Sequence, residues 1–146
     1  DIKVGRIFNT YGPLMDINDG RVVSNFIAQA LRGEDLTIYG NGNQTRSLCF
    51  IDDLVELLII IFEKNLVFEQ PFNMGNDKEI TVEEIAKKVI SLTNSSSKIT
   101  YHDLPEDDPK VRMPNLNYVK KISNWQPSTS LSTGLKKTIA YFEKIV

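Results

Sequence analysis

The chemically most suggestive stretch of this sequence spans residues 40–53, where a glycine turn precedes an amide, an arginine and a short apolar run. Gly40 and Gly42 can adopt the positive φ angles of a sharp turn and let another molecule approach the backbone. Gln44 and Arg46 follow with no acidic residue between them and the glycines. A guanidinium held between such a turn and a strand suits a phosphate, which it can bind through two parallel hydrogen bonds. The alternative is a hairpin with a solvated arginine at its tip.

Three more polar side chains lie where predicted strands or helices begin or end, which is where binding sites concentrate. Asn9 follows the first predicted strand and could donate its amide to a phosphate or a sugar hydroxyl, or could cap a turn. Arg21 precedes a predicted helix, where a cation opposes the helix dipole unless it binds an anion or pairs with Asp19 or Asp16. Tyr39 ends a strand beside the glycine turn and could stack on a planar base, although its pattern also fits a core tyrosine.

Arg112 lies in an acidic loop, residues 103–114, with a proline on each side of it. Its neighbours Glu106, Asp107 and Asp108 are close enough in sequence to pair with it. The loop could therefore be solvated and carry no site, or it could hold Arg112 in a fixed position for a ligand.

The sequence lacks the residues of a complete catalytic apparatus. No glycine-rich dinucleotide fingerprint follows a strand, and no nucleophile has a histidine to activate it, because His102 is the only histidine. Cys49 is the only cysteine and lies in an apolar run, which predicts a buried, unreactive thiol. No metal-ligand spacing surrounds either residue. The chain therefore offers binding groups without an acid–base pair.

Length and composition indicate one ordinary domain over residues 1–146, with 41% hydrophobic and 25% charged residues. The net charge of −2 gives no basic field for nucleic acid or an anionic membrane surface, so any bound anion needs a local site. The longest apolar run, residues 57–62, is too short for membrane insertion. Residues 3–8 indicate a buried strand whose partners lie upstream, so we expect a fragment of a longer protein.

Hydrophobic periodicity predicts an α/β fold with short strands. The expected strands cover residues 3–8, 36–39, 48–51, 72–74 and 99–102, and the expected helices cover 22–31, 53–64, 82–93, 116–123 and 132–145. Thr81 and Glu84 form a capping-box pattern, and Asp52 is the expected N-cap of the second helix. That helix is apolar almost all round, which predicts that it lies between two layers.

Several motifs together resemble the extended short-chain dehydrogenase/reductase family. They are the run RIFNTYGP at residues 6–13, NDGRVVSNF at 18–26, Tyr39-Gly40 followed by QTR at 44–46, the loop DDPKVRMP at 107–114 and the WQP motif at 125–127. The resemblance covers essentially the whole chain. It implies the small C-terminal, substrate-binding domain of an NAD-dependent epimerase/dehydratase-type enzyme. The Rossmann half of that enzyme, with its glycine-rich loop and Tyr-x-x-x-Lys pair, would lie upstream of Asp1.

Within that family the likeness is greatest to the nucleotide-sugar decarboxylases that convert UDP-glucuronate to UDP-xylose. The resemblance implies NAD as cofactor, a UDP-sugar as ligand and a homodimer when the enzyme is complete. A dTDP-glucose 4,6-dehydratase or a UDP-sugar 4-epimerase is the alternative within the family. A stand-alone nucleotide-binding module without catalysis, or an interaction domain without a ligand, is the alternative outside it.

The resemblance also implies roles for individual residues. The UDP portion would be held by Asn9, Tyr39, Gln44 and Arg46, the cofactor would be contacted by Thr10 and Arg21, and substrate would be bound by Arg112. The resemblance also makes Arg112 the candidate catalytic residue, as a proton donor to the carbon left by CO₂. A guanidinium pKa is too high for easy proton donation, so we expect Arg112 to act first as a charge stabiliser. Asp16 stands where such enzymes often have a histidine, which leaves that cofactor contact unsupported.

Overall fold

Short strands pair in twos throughout the part of the chain that the computed structural model describes, residues 2–103 and 112–146. The strands are β1 (Gly5–Ile7), β2 (Thr10–Tyr11), β3 (Leu36–Tyr39), β4 (Thr45–Ser47), β5 (Cys49–Phe50), β6 (Phe72–Met74), β7 (Glu79–Thr81) and β8 (Ile99–His102). Three pairs are parallel, β1 with β6, β2 with β5 and β3 with β8. The pair of β4 with β7 is antiparallel. Parallel pairs need long crossover connections, and helices supply most of them here.

Five helices complete the described part of the fold. They are α1 (Val22–Arg32), α2 (Ile51–Glu63), α3 (Val82–Thr93), α4 (Asn117–Ser123) and α5 (Leu131–Phe142). Gly33 ends α1 at a φ of 70°, a left-handed conformation that glycine adopts without strain. The Thr81 and Glu84 capping box is present at the start of α3, as predicted. The α/β class and all five helices are confirmed; α3 has the predicted boundaries, and the ends of the other helices differ from the prediction by at most three residues.

The predicted N-cap of α2 was wrong. The helix begins at Ile51 with Phe50 at the N-cap, so Asp52 lies in the first turn and is not the cap. That α2 lies between two layers stays a prediction, because the described residues cover one of its faces and leave Val55, Ile59 and Phe62 43%, 48% and 73% exposed. Its apolar outer face has no covering layer among the described residues.

The first strand also differs from its prediction. β1 covers three residues rather than six, and its residues are exposed, because β6 pairs with it along one edge only. Strands β2, β4 and β7, of two or three residues each, were not predicted. β2 therefore lies in the segment between the first predicted strand and α1, where no strand was expected.

The buried apolar side chains form two cores. The pocket-side core packs α1, α3 and α5 around β3, and its largest members include Tyr11, Phe26, Phe50, Ile85 and Phe142. The second core packs α2 and α4 against β6, and includes Leu57, Met74, Leu116 and Trp125. Cys49 belongs to the second core, is fully buried and is free, as predicted.

Within residues 2–103 and 112–146, no helix has both the length and the apolar character needed to cross a membrane. No group of three or more histidine, cysteine, aspartate or glutamate side chains in that part of the chain could hold a metal ion.

Candidate functional site

A cavity of about 530 Å³ opens where the start of α1 faces β2, β3 and β4. Its floor is apolar and belongs to the pocket-side core, through side chains such as Phe26, Ile38 and Leu48. Its polar lining includes every residue to which the sequence assigned a site role: Asn9, Thr10, Arg21, Tyr39, Gln44, Arg46 and Arg112. These residues are separated by up to about a hundred positions in sequence, and the fold brings them together.

The cavity is cationic, although the chain as a whole is not. Arg21, Arg46 and Arg112 line it, and no aspartate or glutamate of the described residues does. The net charge of the sequence is −2. An apolar floor with a rim of guanidinium groups suits a ligand that combines a flat or apolar part with an anionic part.

Strand β2 forms one wall of the cavity. β2 pairs with β5, and the preceding residue, Asn9, also bonds to β5: its carbonyl oxygen accepts a hydrogen bond of 2.9 Å from the backbone N–H of Cys49. The Thr10 hydroxyl donates to the carbonyl of Phe8 at 2.8 Å, so its lone pairs remain as acceptors. Tyr11 is buried, and its ring meets the Phe50 ring edge-on at 5.6 Å. Burial raises the pKa of the Tyr11 phenol, and the nearby Asp53 and Cys49 raise it further.

The glycine turn between β3 and β4 has the predicted geometry. Gly40 and Gly42 have φ angles of 74° and 78°, which a residue with a Cβ rarely adopts. The Gln44 amide closes the turn by donating a 2.6 Å hydrogen bond to the carbonyl of Tyr39. The Tyr39 side chain is 50% exposed, so the core alternative for this tyrosine is wrong.

Arg46 lies in the middle of β4 rather than at the tip of a hairpin. β4 pairs with β7, where Arg46 stands opposite Ile80, and β3 pairs with β8. The Nη1 atom of Arg46 donates to the carbonyl of Thr45 at 2.9 Å. The strand thus holds the guanidinium at the cavity wall, and the hairpin alternative is wrong.

Arg21 is the N-cap residue of α1 and carries no capping side chain hydrogen bond. Its Nε lies 3.5 Å from an oxygen of Asp19, and the side chain remains 66% exposed. The Asp19 carboxylate also accepts hydrogen bonds from the backbone N–H of Arg21, at 3.0 Å, and from the Ser24 hydroxyl. The local pairing that the sequence left open is present, and Asp19 fixes the turn that leads into the helix.

Arg112 is exposed and lines the same cavity. The DDP part of its motif, Asp107 to Pro109, lies outside the described residues. Sequence reasoning missed two polar residues of the lining, Asn25 and Thr37. Asn25 stands one helical turn after Arg21, a spacing that places both on one face of α1, and this signal could have found it. Thr37 is held by Gln29, which donates to its hydroxyl at 3.1 Å.

This chain is similar to known proteins of one family. Residues 1–75 match the NAD dependent epimerase/dehydratase family. The chain is 44% identical over 144 residues to UDP-glucuronic acid decarboxylase 1 of Xenopus tropicalis, covering 99% of this chain and 34% of that protein. It is 47% identical over 146 residues to UDP-glucuronic acid decarboxylase 4 of Arabidopsis thaliana, covering 100% of this chain and 32% of that protein. The chain thus spans about a third of the length of these curated relatives.

Solved structures give the same result for the fold. The crystal structure of UDP-glucose 4-epimerase with UDP-glucose from Thermotoga maritima superposes with a TM-score of 0.90 at 30% identity, covering 98% of this chain and 46% of that one. UDP-glucuronic acid 4-epimerase from Bacillus cereus, in complex with UDP-glucuronic acid and NAD, superposes with a TM-score of 0.90 at 23% identity, covering 99% and 46%, and supports the fold alone. The expected α/β fold and family are confirmed: the chain belongs to the NAD dependent epimerase/dehydratase family.

Proposed function

We propose that this chain is the nucleotide-sugar-binding part of a UDP-glucuronate decarboxylase, which in its complete form converts UDP-glucuronate to UDP-xylose. The observation that carries the proposal is that Asn9, Tyr39, Gln44, Arg46 and Arg112 line the same cationic cavity. Relatives named UDP-glucuronic acid decarboxylase, 44–47% identical over nearly the whole chain, support the choice of reaction.

The geometry of the cavity suggests how a UDP-sugar would be divided among these residues. The exposed Tyr39 ring beside the glycine turn offers a stacking surface for uracil. Arg46, held in β4 between that turn and the apolar floor, would bind the diphosphate. Asn9 and Gln44 carry amides that can both donate and accept, which suits ribose or base edges.

The cavity also has groups that fit part of a dinucleotide cofactor. Arg21 is an exposed cation at the start of α1, and Thr10 offers hydroxyl lone pairs on the facing wall. When bound, NAD would supply reversible hydride acceptance at C4 of the sugar, which places a ketone β to the carboxylate that is lost. Arg112 would stabilise negative charge that develops near the departing carboxylate. Its guanidinium would do so without giving up a proton.

We also propose that a separate nucleotide-binding domain covers the apolar surface of β1 and α2. Val55, Ile59 and Phe62 share one face of α2 at i, i+4 and i+7 and are 43%, 48% and 73% exposed, and Ile7 of β1 is 61% exposed. An exposed apolar patch such as the one on α2 marks an interaction site. A Rossmann domain preceding β1 would supply the glycine-rich loop and the acid–base pair. The homodimer rests on the family resemblance only.

A UDP-sugar 4-epimerase is the second candidate. The epimerase of Thermotoga maritima, whose structure contains UDP-glucose, has the same fold at 30% identity. Both reactions begin with oxidation at C4, so they differ in whether the oxidised sugar loses CO₂. Incubating the complete protein with UDP-glucuronate and analysing products for UDP-xylose against the C4 epimer separates them.

Calorimetric titration of the chain with UDP, UDP-glucuronate and dTDP tests the binding site. We expect uridine-selective binding, which Arg46→Ala weakens by roughly 1.5–3 kcal/mol, the magnitude of hydrogen bonds to a charged group. Arg32→Ala is the matched control, because Arg32 is an exposed arginine in the last turn of α1 and does not line the cavity. Unchanged binding in Arg46→Ala would overturn the diphosphate assignment.

A further inference from the structure

Asp53 is a buried carboxylate to which the proposed function gives no role. It lies in the first turn of α2, is 3% exposed and does not line the cavity. A buried carboxylate is costly unless its oxygens accept hydrogen bonds. Asp53 accepts them from the Ser128 hydroxyl at 3.2 Å, from the Thr129 hydroxyl at 2.9 Å and from the Thr129 backbone N–H at 3.1 Å. These bonds fasten the start of α2 to the segment that precedes α5.

That segment leads directly into α5. Ser130 is the N-cap of α5, and its hydroxyl oxygen accepts a 3.1 Å hydrogen bond from the backbone N–H of Thr133. No residue lies between Thr129, which Asp53 holds, and this cap. The position of Asp53 therefore sets where α5 begins.

At Gly134, which has no side chain, the backbone of α5 packs directly against Phe50 and against Tyr11 in the wall of the cavity. A Cβ on Gly134 would lie 2.8 Å from Cδ2 of Phe50 and closer still to the hydroxyl of Tyr11. The Tyr11 hydroxyl lies 3.5 Å from the carbonyl oxygen of Leu131, to which it donates. Tyr11 lines the cavity next to Asn9 and Thr10. A displacement of α5 thus has to move the Tyr11 ring and, with it, strand β2.

We propose that Asp53 is a positioning residue: by holding Ser128 and Thr129 it keeps α5 seated on Tyr11, and so fixes the Asn9 to Tyr11 wall of the cavity. The part of this proposal that concerns ligand affinity rests on the proposed function, whereas the part that concerns the wall does not. The carboxylate is near enough to act on this wall electrostatically, since it contributes, after burial, to the raised pKa of the Tyr11 phenol.

Asp53→Asn, studied in the chain, tests the proposal. The amide conserves the shape of the side chain and removes its charge. Because the Thr129 N–H donates to both Asp53 oxygens, at 3.3 and 3.1 Å, the amide NH2 faces this N–H in either orientation and weakens the contact. Asp52→Asn is the matched control, because Asp52 is the preceding residue in the same helical turn and pairs with Lys137 of α5 at 2.9 Å through side chains that are both more than half exposed, so the pair contributes little. Both variants remove one negative charge from the start of α2, and only Asp53→Asn weakens the buried contact.

Two readouts separate positioning from general stabilisation. With ¹³C-labelled tyrosine, the Tyr11 ring resonance, assigned with Tyr11→Phe, should shift in Asp53→Asn and stay in place in Asp52→Asn. UDP affinity, titrated well below the melting temperature, should fall about tenfold in Asp53→Asn, the loss that corresponds to one hydrogen bond to a charged group. A lowered melting temperature with an unchanged Tyr11 resonance, or with an unchanged UDP affinity, would overturn the proposal.

The same experiment distinguishes this proposal from the proposed function. If the unmodified chain binds no UDP, the proposed function fails, and the Tyr11 resonance alone decides the role of Asp53. If Asp53→Asn does not fold, Ser128→Ala removes a single donor and leaves the Thr129 contacts in place. We then expect a smaller shift of the Tyr11 resonance, and its absence would overturn the proposal.

Discussion

The two cores of this molecule differ in how completely the described residues enclose them. The pocket-side core is surrounded by α1, α3 and α5, and its helices turn polar faces outward. The second core is closed on the inside, where Leu57 and Met74 are 0% and 2% exposed, but the outer face of α2 is apolar. A helix with apolar residues on both faces, such as α2, is typically packed against other elements on both faces. Among the described residues, the cavity side is therefore enclosed by its own helices, whereas the outer face of α2 has no covering layer.

The largest expected effect is the difference in the labelling rate of Cys49 between the native and the denatured chain. Cys49 is fully buried in the second core, and burial, with a contribution from Asp53, raises its pKa to about 12. At pH 8 the native thiol is therefore neutral and shielded, whereas in the unfolded chain its pKa is near 8.5. We expect iodoacetamide to label native Cys49 at least roughly 10³-fold more slowly than the denatured chain, because labelling requires opening of the core.

The raised pKa of Cys49 also predicts that the free energy of unfolding falls as the pH rises. Because the folded pKa of Cys49 is above the unfolded one, its contribution to stability is present below about pH 9 and is lost as the pH rises towards about 12. Urea unfolding of Cys49→Ser should lack this component when compared with the unmodified chain between pH 8 and 10. Rapid labelling of the native chain would mean that the second core is open on the inside as well.

Truncation in the pocket-side core is the next largest effect. Ile85 is fully buried in α3 and packs in the same cluster as Phe26 and Leu135. Ile85→Ala should lower the free energy of unfolding by roughly 2–5 kcal/mol, since it removes buried methyl groups and leaves a cavity. Urea denaturation followed by circular dichroism measures this change. A loss well below 1 kcal/mol would contradict a closed core on this side.

Removing the N-cap of α3 should have a smaller effect on stability, and it concerns a helix of the same pocket-side core. The Thr81 hydroxyl accepts a hydrogen bond from the N–H of Glu84 at 3.1 Å, and the Glu84 carboxylate accepts from the N–H of Thr81 at 3.0 Å. Thr81→Ala should cost about 1 kcal/mol of unfolding free energy. Thr93→Ala, at the far end of α3, is the control, because its hydroxyl bonds only the helix's own carbonyls. Equal losses in both variants would argue against a specific contribution from the cap.

Sequence reasoning succeeded where a local pattern decides the structure. The capping box at Thr81, the stop at Gly33 and the positive φ angles of Gly40 and Gly42 depend on near neighbours only. It failed where tertiary contacts decide. The exposure of β1 and of Phe62 depends on which surfaces meet, and an apolar pattern is the same whether a covering layer is present or not.

The site shows the same division. The residue types at Arg46 and Gln44 indicated an anion site, and the family resemblance selected the others, but neither could place Arg46 in a strand paired with β7. The role of Asp53 was also out of reach, because its partners Ser128 and Thr129 lie 75 and 76 positions away. The packing of α5 on Tyr11 connects them to the cavity.

Phe62→Ala has the smallest expected effect on the chain and tests the comparison most directly. Phe62 is 73% exposed on the outer face of α2, so its truncation should change the free energy of unfolding of the chain by less than about 0.5 kcal/mol. In the complete protein the same side chain would be covered by the proposed domain, and removing it should lower the melting temperature. Ile145→Ala is the matched control, because Ile145 is a large apolar residue that is 50% exposed just beyond α5 and does not belong to α2. A loss in the complete protein that is confined to Phe62→Ala would identify the outer face of α2 as an interdomain surface, whereas two unchanged variants would mean that this apolar face stays exposed to solvent.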